Sequence, residues 1–448
     1  MKFLIISFLL LFLSVESFPQ KELNIEQAIK IALQKNSGLK TTENELLRSE
    51  SNLKAAYGNF LPTLGVYGSW GWNRVDEAGR VGVVDGVNVN IPSSKTESRN
   101  YNLGANSNIT LFDGLANIAT LNRSENTVEA VRLSIESKKQ EVVFQTISLY
   151  YSIVESEQLL KVREEDVKQQ QKNLETISER NRLGSVTKAD VYQQQVQLGN
   201  AELEVIRAKN VLENAKSNLL YYLGIDVLED YTYTTALTNR ELTILDTDIS
   251  TDFNRLAELV NDALKSRTDY QAQLLTLNSY NDNITIAQSG HLPKLTGSLG
   301  YNAPANTLGN LFNSHNFNAG LTISLPIFQG FSVSNAVQSA EVDAMNYESQ
   351  VKDSERLIKQ NLQKSFLDLD AAKKGIIVTE KNVEAAGENL KIEQEKYNLG
   401  AGKLLDVLIA NTSYQNAKTN YINAQFFYIR KSEELKYNLG MLEYSQYE

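Results

Sequence analysis

Ile109-Thr110-Leu111-Phe112-Asp113-Gly114 returns 216 residues later as Leu325-Pro326-Ile327-Phe328-Gln329-Gly330, and each copy marks a change of period. Before each glycine, apolar residues recur at every second position, as in a strand with one wet face; after it they recur at helical spacing. Gly400 minus Gly184, Asp406 minus Asp190 and Gly440 minus Gly224 give the same 216, so one architecture is written twice. Upstream the offset grows to 231, from Pro62 to Pro293, which places fifteen extra residues between Pro62 and Gly104. Insertions collect in loops, and one is expected there.

Four segments alternate: about 62–73 and 101–112 in the first copy, about 293–303 and 316–328 in the second. In the first, Leu64, Val66, Trp70 and Trp72 share one face, and Thr63, Tyr67, Ser69 and Asn73 the other. In the last, Phe317, Ala319, Leu321, Ile323, Leu325 and Ile327 oppose Asn318, Thr322 and Ser324. Strands of roughly 10 residues with aromatics toward their ends suit a β-barrel facing lipid outside and water inside. A soluble antiparallel sheet with one wet face alternates in the same way. The stretches 74–100 and 304–316 read as outward loops, the first absorbing the insertion.

Long helical hairpins are expected over 115–223 and 331–439. Ile153, Leu160, Val167 and Leu174 keep a seven-residue spacing, matched by Leu369, Ile376, Val383 and Leu390. The returning helices carry Val191, Leu198, Val205, Leu212 and Leu219, matched by Val407, Tyr414, Tyr421, Tyr428 and Leu435. Sustained heptads make left-handed coiled coils. The repeats are therefore 18–224 and 253–440, joined by a linker over 225–252 and followed by a tail over 441–448.

Residues 1–17 read as a secretory signal: Met1-Lys2, the apolar run Phe3–Leu13, then small residues to a cut near Ser17. No cysteine occurs, which excludes disulfides, thiolate metal sites, a cysteine nucleophile and an acylated N-terminal cysteine. The net charge of −10 and the absence of a Lys/Arg cluster argue against a nucleic-acid surface. Neither His291 nor His315 has metal or nucleophile spacing around it, and no phosphate-binding glycine motif appears, so neither an enzyme nor a cofactor is expected.

Four strands cannot close a barrel, and eight from two copies would leave its interior filled with side chains. Twelve strands from three copies would leave a lumen. Leu23-Asn24-Ile25-Glu26-Gln27-Ala28-Ile29, Leu61-Pro62, Leu111-Phe112-Asp113-Gly114, Leu325-Pro326-Ile327-Phe328-Gln329-Gly330 and Leu399-Gly400 through Leu405-Asp406-Val407-Leu408 together resemble the TolC family of outer-membrane efflux proteins. That resemblance implies a mainly α fold and a homotrimer. Its parts would be a shared twelve-stranded β-barrel in outer-membrane lipid, a helical tunnel in the periplasm, and an equatorial region, expected to be small because the chain stops eight residues after Gly440. It also implies partners: a periplasmic adaptor protein and an inner-membrane RND or ABC transporter, with the chain as their passive exit duct. The alternative reading is an exported coiled-coil scaffold or adhesin with a soluble sheet.

The helix reversals carry the remaining candidates. Glycine just past a helix end closes the turn. By resemblance the reversals also meet the adaptor, which makes Leu183, Gly184, Ser185, Leu399, Gly400 and Ala401 docking candidates. Asp190 and Asp406 open the returning helices, where the dipole favours an acid; on a three-fold axis each would become a carboxylate ring attracting cations. The resemblance further implies that Asp190 ties neighbouring helices shut through Tyr397. Gly402 stands where a gating arginine can occur and Ile409 where a second pore aspartate can, with Lys188 and Lys403 as replacement charge.

Overall fold

In the computed structural model, residues 21–234 and 256–447 are described; the expected signal over 1–17 and the linker from 235 onward lie outside them. The first copy runs α1 (Ile25–Lys35), α2 (Ser37–Gly58), β2 (Thr63–Glu77), β3 (Arg80–Val84), β4 (Val87–Ile91), β5 (Ser94–Phe112), α3 (Ala116–Arg182) and α4 (Lys188–Leu223). A short parallel ribbon joins β1 (Lys21–Leu23) to β6 (Tyr231–Tyr233). The second copy runs α5 (Leu256–Ser266), α6 (Thr268–Gln288), β7 (Lys294–Ala305), β8 (Asn316–Ser324), α7 (Ser332–Asn398) and α8 (Leu404–Asn438). Helices α3 and α7 are each 67 residues, on the order of 100 Å at 1.5 Å per residue.

The chain forms two compact units. One, made of 42–136 and 267–357, holds an antiparallel sheet in the order β2-β5-β7-β8. Each strand pairs with its neighbour in sequence or in the other copy, and the outer edges of β2 and β8 stay open. The strands differ from their expected bounds in an instructive way. Those expected at 62–73 and 101–112 run on to Glu77 and back to Ser94, so the expected loop 74–100 is largely strand. Its charges are used in pairs: Arg74 lies 3.0 Å from Asp76 and 3.7 Å from Glu97 across the ladder. Beyond them β3 and β4 form a hairpin whose turn is Asp85-Gly86, at φ of 52° and 79°, the left-handed pair that a two-residue hairpin favours. The strand expected over 316–328 stops at Ser324, two residues before Pro326, which has no N–H for a ladder.

The other unit, whose described residues are 21–41, 137–234, 256–266 and 358–447, is built around a row of helices. Helix α3 sits between α4 and α8: Gln194 donates to Gln170 at 2.8 Å, Asn411 donates to Asp166 at 3.1 Å, and Lys418 pairs with Glu165 at 2.8 Å. Helix α8 in turn meets α7, where Asn438 donates to Ser365 at 2.7 Å and Lys431 pairs with Asp368 at 2.9 Å. The order is therefore α4-α3-α8-α7, with each repeat contributing one inner and one outer helix. None of the heptad residues named above is exposed, and Ile153, Leu219, Leu369, Tyr428 and Leu435 are buried. The end of α1 packs on the end of α4, Asn36 donating to the Tyr222 carbonyl at 2.9 Å. Tyr150 donates to the carbonyls of Leu23 and Thr234, which fixes the ribbon to α3.

Candidate functional site: a two-faced sheet and two helix tips

Cross-strand register decides which side chains share a face, because directly paired residues point the same way. Trp70 pairs with Tyr101, Val66 with Ala105, Ala105 with Tyr301, and Tyr301 with Phe317. Following those ladders gathers Leu64, Trp72, Leu103, Leu299, Ala319, Leu321 and Ile323 onto the same side. Most are exposed, Leu64 by 80% and Phe317 by 79%. The opposite face is Thr63, Ser69, Asn73, Asn102, Asn106, Ser298, Asn302, Asn318 and Thr322, with glycines between them. Aromatics crowd one level of the sheet at Trp70, Trp72, Tyr101, Tyr301 and Phe317, midway along β2 and β5, and the helix-side end at Phe112, Phe328 and Phe331. Phe328 and Phe331 meet edge to face at 5.5 Å. One predominantly apolar face, interrupted by Ser107, one amide- and hydroxyl-rich face and two aromatic girdles are what separates lipid from a wet lumen. Among the described residues, no helix is long and apolar enough to cross a membrane.

The backbone bonds that close the turn repeat in the two tips. Ser185 N–H donates to the Arg180 carbonyl and Gly184 N–H to that of Asn181; Ala401 N–H donates to Lys396 and Gly400 N–H to Tyr397. These are the two bonds of a Schellman turn, which requires its glycine left-handed, and Gly184 and Gly400 have φ of 75° and 76°. A Cβ on either would meet nothing within 4 Å, so geometry, not crowding, selects glycine. Leu183 and Leu399 stand exposed beside them.

Asp190 and Tyr397 are not joined within the chain. The Asp190 carboxylate accepts from the Thr187 N–H at 2.9 Å and hydroxyl at 2.8 Å, closing a capping box at the start of α4. Tyr397 turns inward against Ile177, Leu404 and Val407, beneath the Arg180 guanidinium at 5.2 Å, and its buried hydroxyl has no hydrogen-bond partner among the described residues. Asp406 lies exposed in the first turn of α8. Asp190 and Asp406 lie in the first turns of the returning helices, as expected, and the local bond that Thr187 offers was missed. The pattern Thr-x-x-Asp was there to suggest it.

A sheet built to face lipid, followed in each repeat by a pair of antiparallel helices, defines an outer-membrane protein of the channel type. The chain belongs to the outer membrane efflux protein family, which matches residues 28–225 and 259–441. It is 24% identical over 322 residues to the outer membrane protein TolC of Escherichia coli K12, an alignment covering 69% of this chain and 63% of that protein. With TolC of Vibrio cholerae it is 21% identical over 434 residues, covering 95% and 90%. Its fold is similar to that of the Campylobacter jejuni CmeC outer membrane channel, with a TM-score of 0.80, 18% identity, and coverage of 94% of this chain and 86% of that one.

Proposed function

We propose that three copies close their sheets into one twelve-stranded barrel and act as the outer-membrane exit duct of an efflux pump or a type I secretion system. The observation that carries this reading is the sheet with an exposed apolar face and two unpaired edges, which leaves neither lipid nor neighbour in place for a single chain. A scaffold with a soluble sheet has no use for that face. In this reading the duct itself transports passively and does no catalysis; energy enters from an inner-membrane RND or ABC transporter through a periplasmic adaptor. Outer-membrane fractionation with crosslinking tests it: the chain should sediment with the outer membrane and crosslink to a trimer. A soluble periplasmic monomer would end the proposal.

The tips Leu183, Gly184, Ser185, Leu399, Gly400 and Ala401 are proposed to receive the adaptor, and Asp190, Tyr397 and Asp406 to form the periplasmic gate. Asp190 begins α4 and Tyr397 ends α7, the two outer helices of the row, so a link between them belongs to the seam between copies. We expect Asp190→Ala and Tyr397→Phe each to raise conductance in planar bilayers, since a hydrogen bond with a charged partner is worth about 1.5 to 3 kcal/mol and a trimer has three. Thr187→Ala is the control, because it breaks the capping box and keeps the carboxylate. Equal opening by Thr187→Ala would assign the effect to the helix cap.

A further inference from the structure

The duplication fixes the seam between copies residue by residue. Every β2–β5 pair has residue numbers adding to 171, as Thr63 with Asn108 and Glu77 with Ser94 do. First strands shift by 231 between repeats and second strands by 216, which carries 171 to 618. Every β7–β8 pair adds to 618, as Lys294 with Ser324 and Asn302 with Asn316 do. One observed register thus generates another without error, so the two repeats are equivalent at the level of single residues.

The β5–β7 pairs from Tyr101–Ala305 to Thr110–Thr296 add to 406, before a bulge at Leu111 shifts the ladder by one at Phe112–Leu295. Their image under the same shift joins β8, the equivalent of β5, to a β2, the equivalent of β7, with numbers adding to 391. No such pairing exists among the described residues, where both strands are edges. We infer that β8 of one copy pairs with β2 of the next in this register: Leu321 opposite Trp70, and Thr322 opposite Ser69. These are the images of the observed Ala105–Tyr301 and Asn106–Gly300 pairs. The register keeps apolar residues on the lipid side and polar residues inside, which a slip by one would reverse. At the helix-side end Phe112 still pairs with Leu295 of β7, whereas its equivalent Phe328 lies beyond the end of β8 and is 73% exposed against 40% for Phe112.

The helical row, taken by itself, obeys the same rule. The inner contact between α3 and α8 has its image between α7 of one copy and α4 of the next. The Glu165–Lys418 pair maps onto Lys381 and Glu202, both exposed, with the signs exchanged and attraction preserved. The Asp166–Asn411 bond maps onto Asn382 and Gln195, also exposed. Tyr151 and Leu408, which pack in the row at 1% and 6% exposure, map onto Leu367 and Tyr192 at 49% and 63%, a covered face and its uncovered twin.

The inference rests on closure of the sheet by copies of this chain. Its test is disulfide formation in the full-length protein, which has no cysteine of its own. Ser69→Cys with Thr322→Cys should crosslink copies into covalent trimers. Asn73→Cys with Thr322→Cys should not, because four residues at about 3.4 Å move the thiols roughly 13 Å apart, beyond the reach of about 7 Å between Cα atoms. Glu202→Cys with Lys381→Cys reads the helical seam independently of strand folding. Crosslinking by the shifted pair, or by neither strand pair in a particle of trimeric mass, overturns the register and leaves the duct reading standing. A monomeric mass overturns both.

Discussion

Arginine at Leu321 prevents assembly in the membrane, whereas arginine at Ser69 is tolerated. Leu321 lies near the middle of the apolar face and is exposed in the single chain, so in the barrel its side chain meets the hydrocarbon core. An arginine near the bilayer midplane of a β-barrel costs about 2 to 4 kcal/mol, and every trimer bears three. Ser69 faces the amide-rich side, where water solvates the guanidinium. The check is the yield of outer-membrane trimer for Leu321→Arg against Ser69→Arg. Equal yields would mean that this face does not meet lipid.

Tryptophan at Gly184 or at Gly400 abolishes transport and leaves the trimer assembled. Each glycine sits in a turn closed by a pair of backbone bonds, and a side chain there points into open space. The local penalty is the left-handed backbone, roughly 1 to 2 kcal/mol for a residue with a Cβ. That is small beside a row of four helices packed along their length. The indole nevertheless covers the surface that Leu183 and Leu399 present. Adaptor pull-down with each variant decides the matter, and normal capture by both removes the tips from the docking surface.

Most of the fold was legible because its signals are periodic. The change from period two to helical spacing at Gly114 and Gly330 placed sheet and helices, and the constant offset of 216 exposed the duplication. What stayed hidden was non-periodic or non-local. The β3–β4 hairpin lay in a stretch whose glycines, serines and charges read as loop, although Asp85-Gly86 is a hairpin turn. The order α4-α3-α8-α7 depends on contacts such as Lys418 with Glu165, far apart in sequence, that no local pattern announces. At the tips, the glycines were readable from their position after long helices, and the engagement of Asp190 by Thr187 was open to a reading of Thr-x-x-Asp as a capping box. The seam between copies needed both, the offsets from the sequence and the ladder from the structure.

Conductance of the purified full-length protein in planar lipid bilayers tests the central claim most directly. The account predicts discrete, equal current steps with a preference for cations that falls in Asp406→Asn, where the proposed ring of three carboxylates would lose its charge. A protein that stays soluble, or that adds to the bilayer without a single step of current, would contradict it.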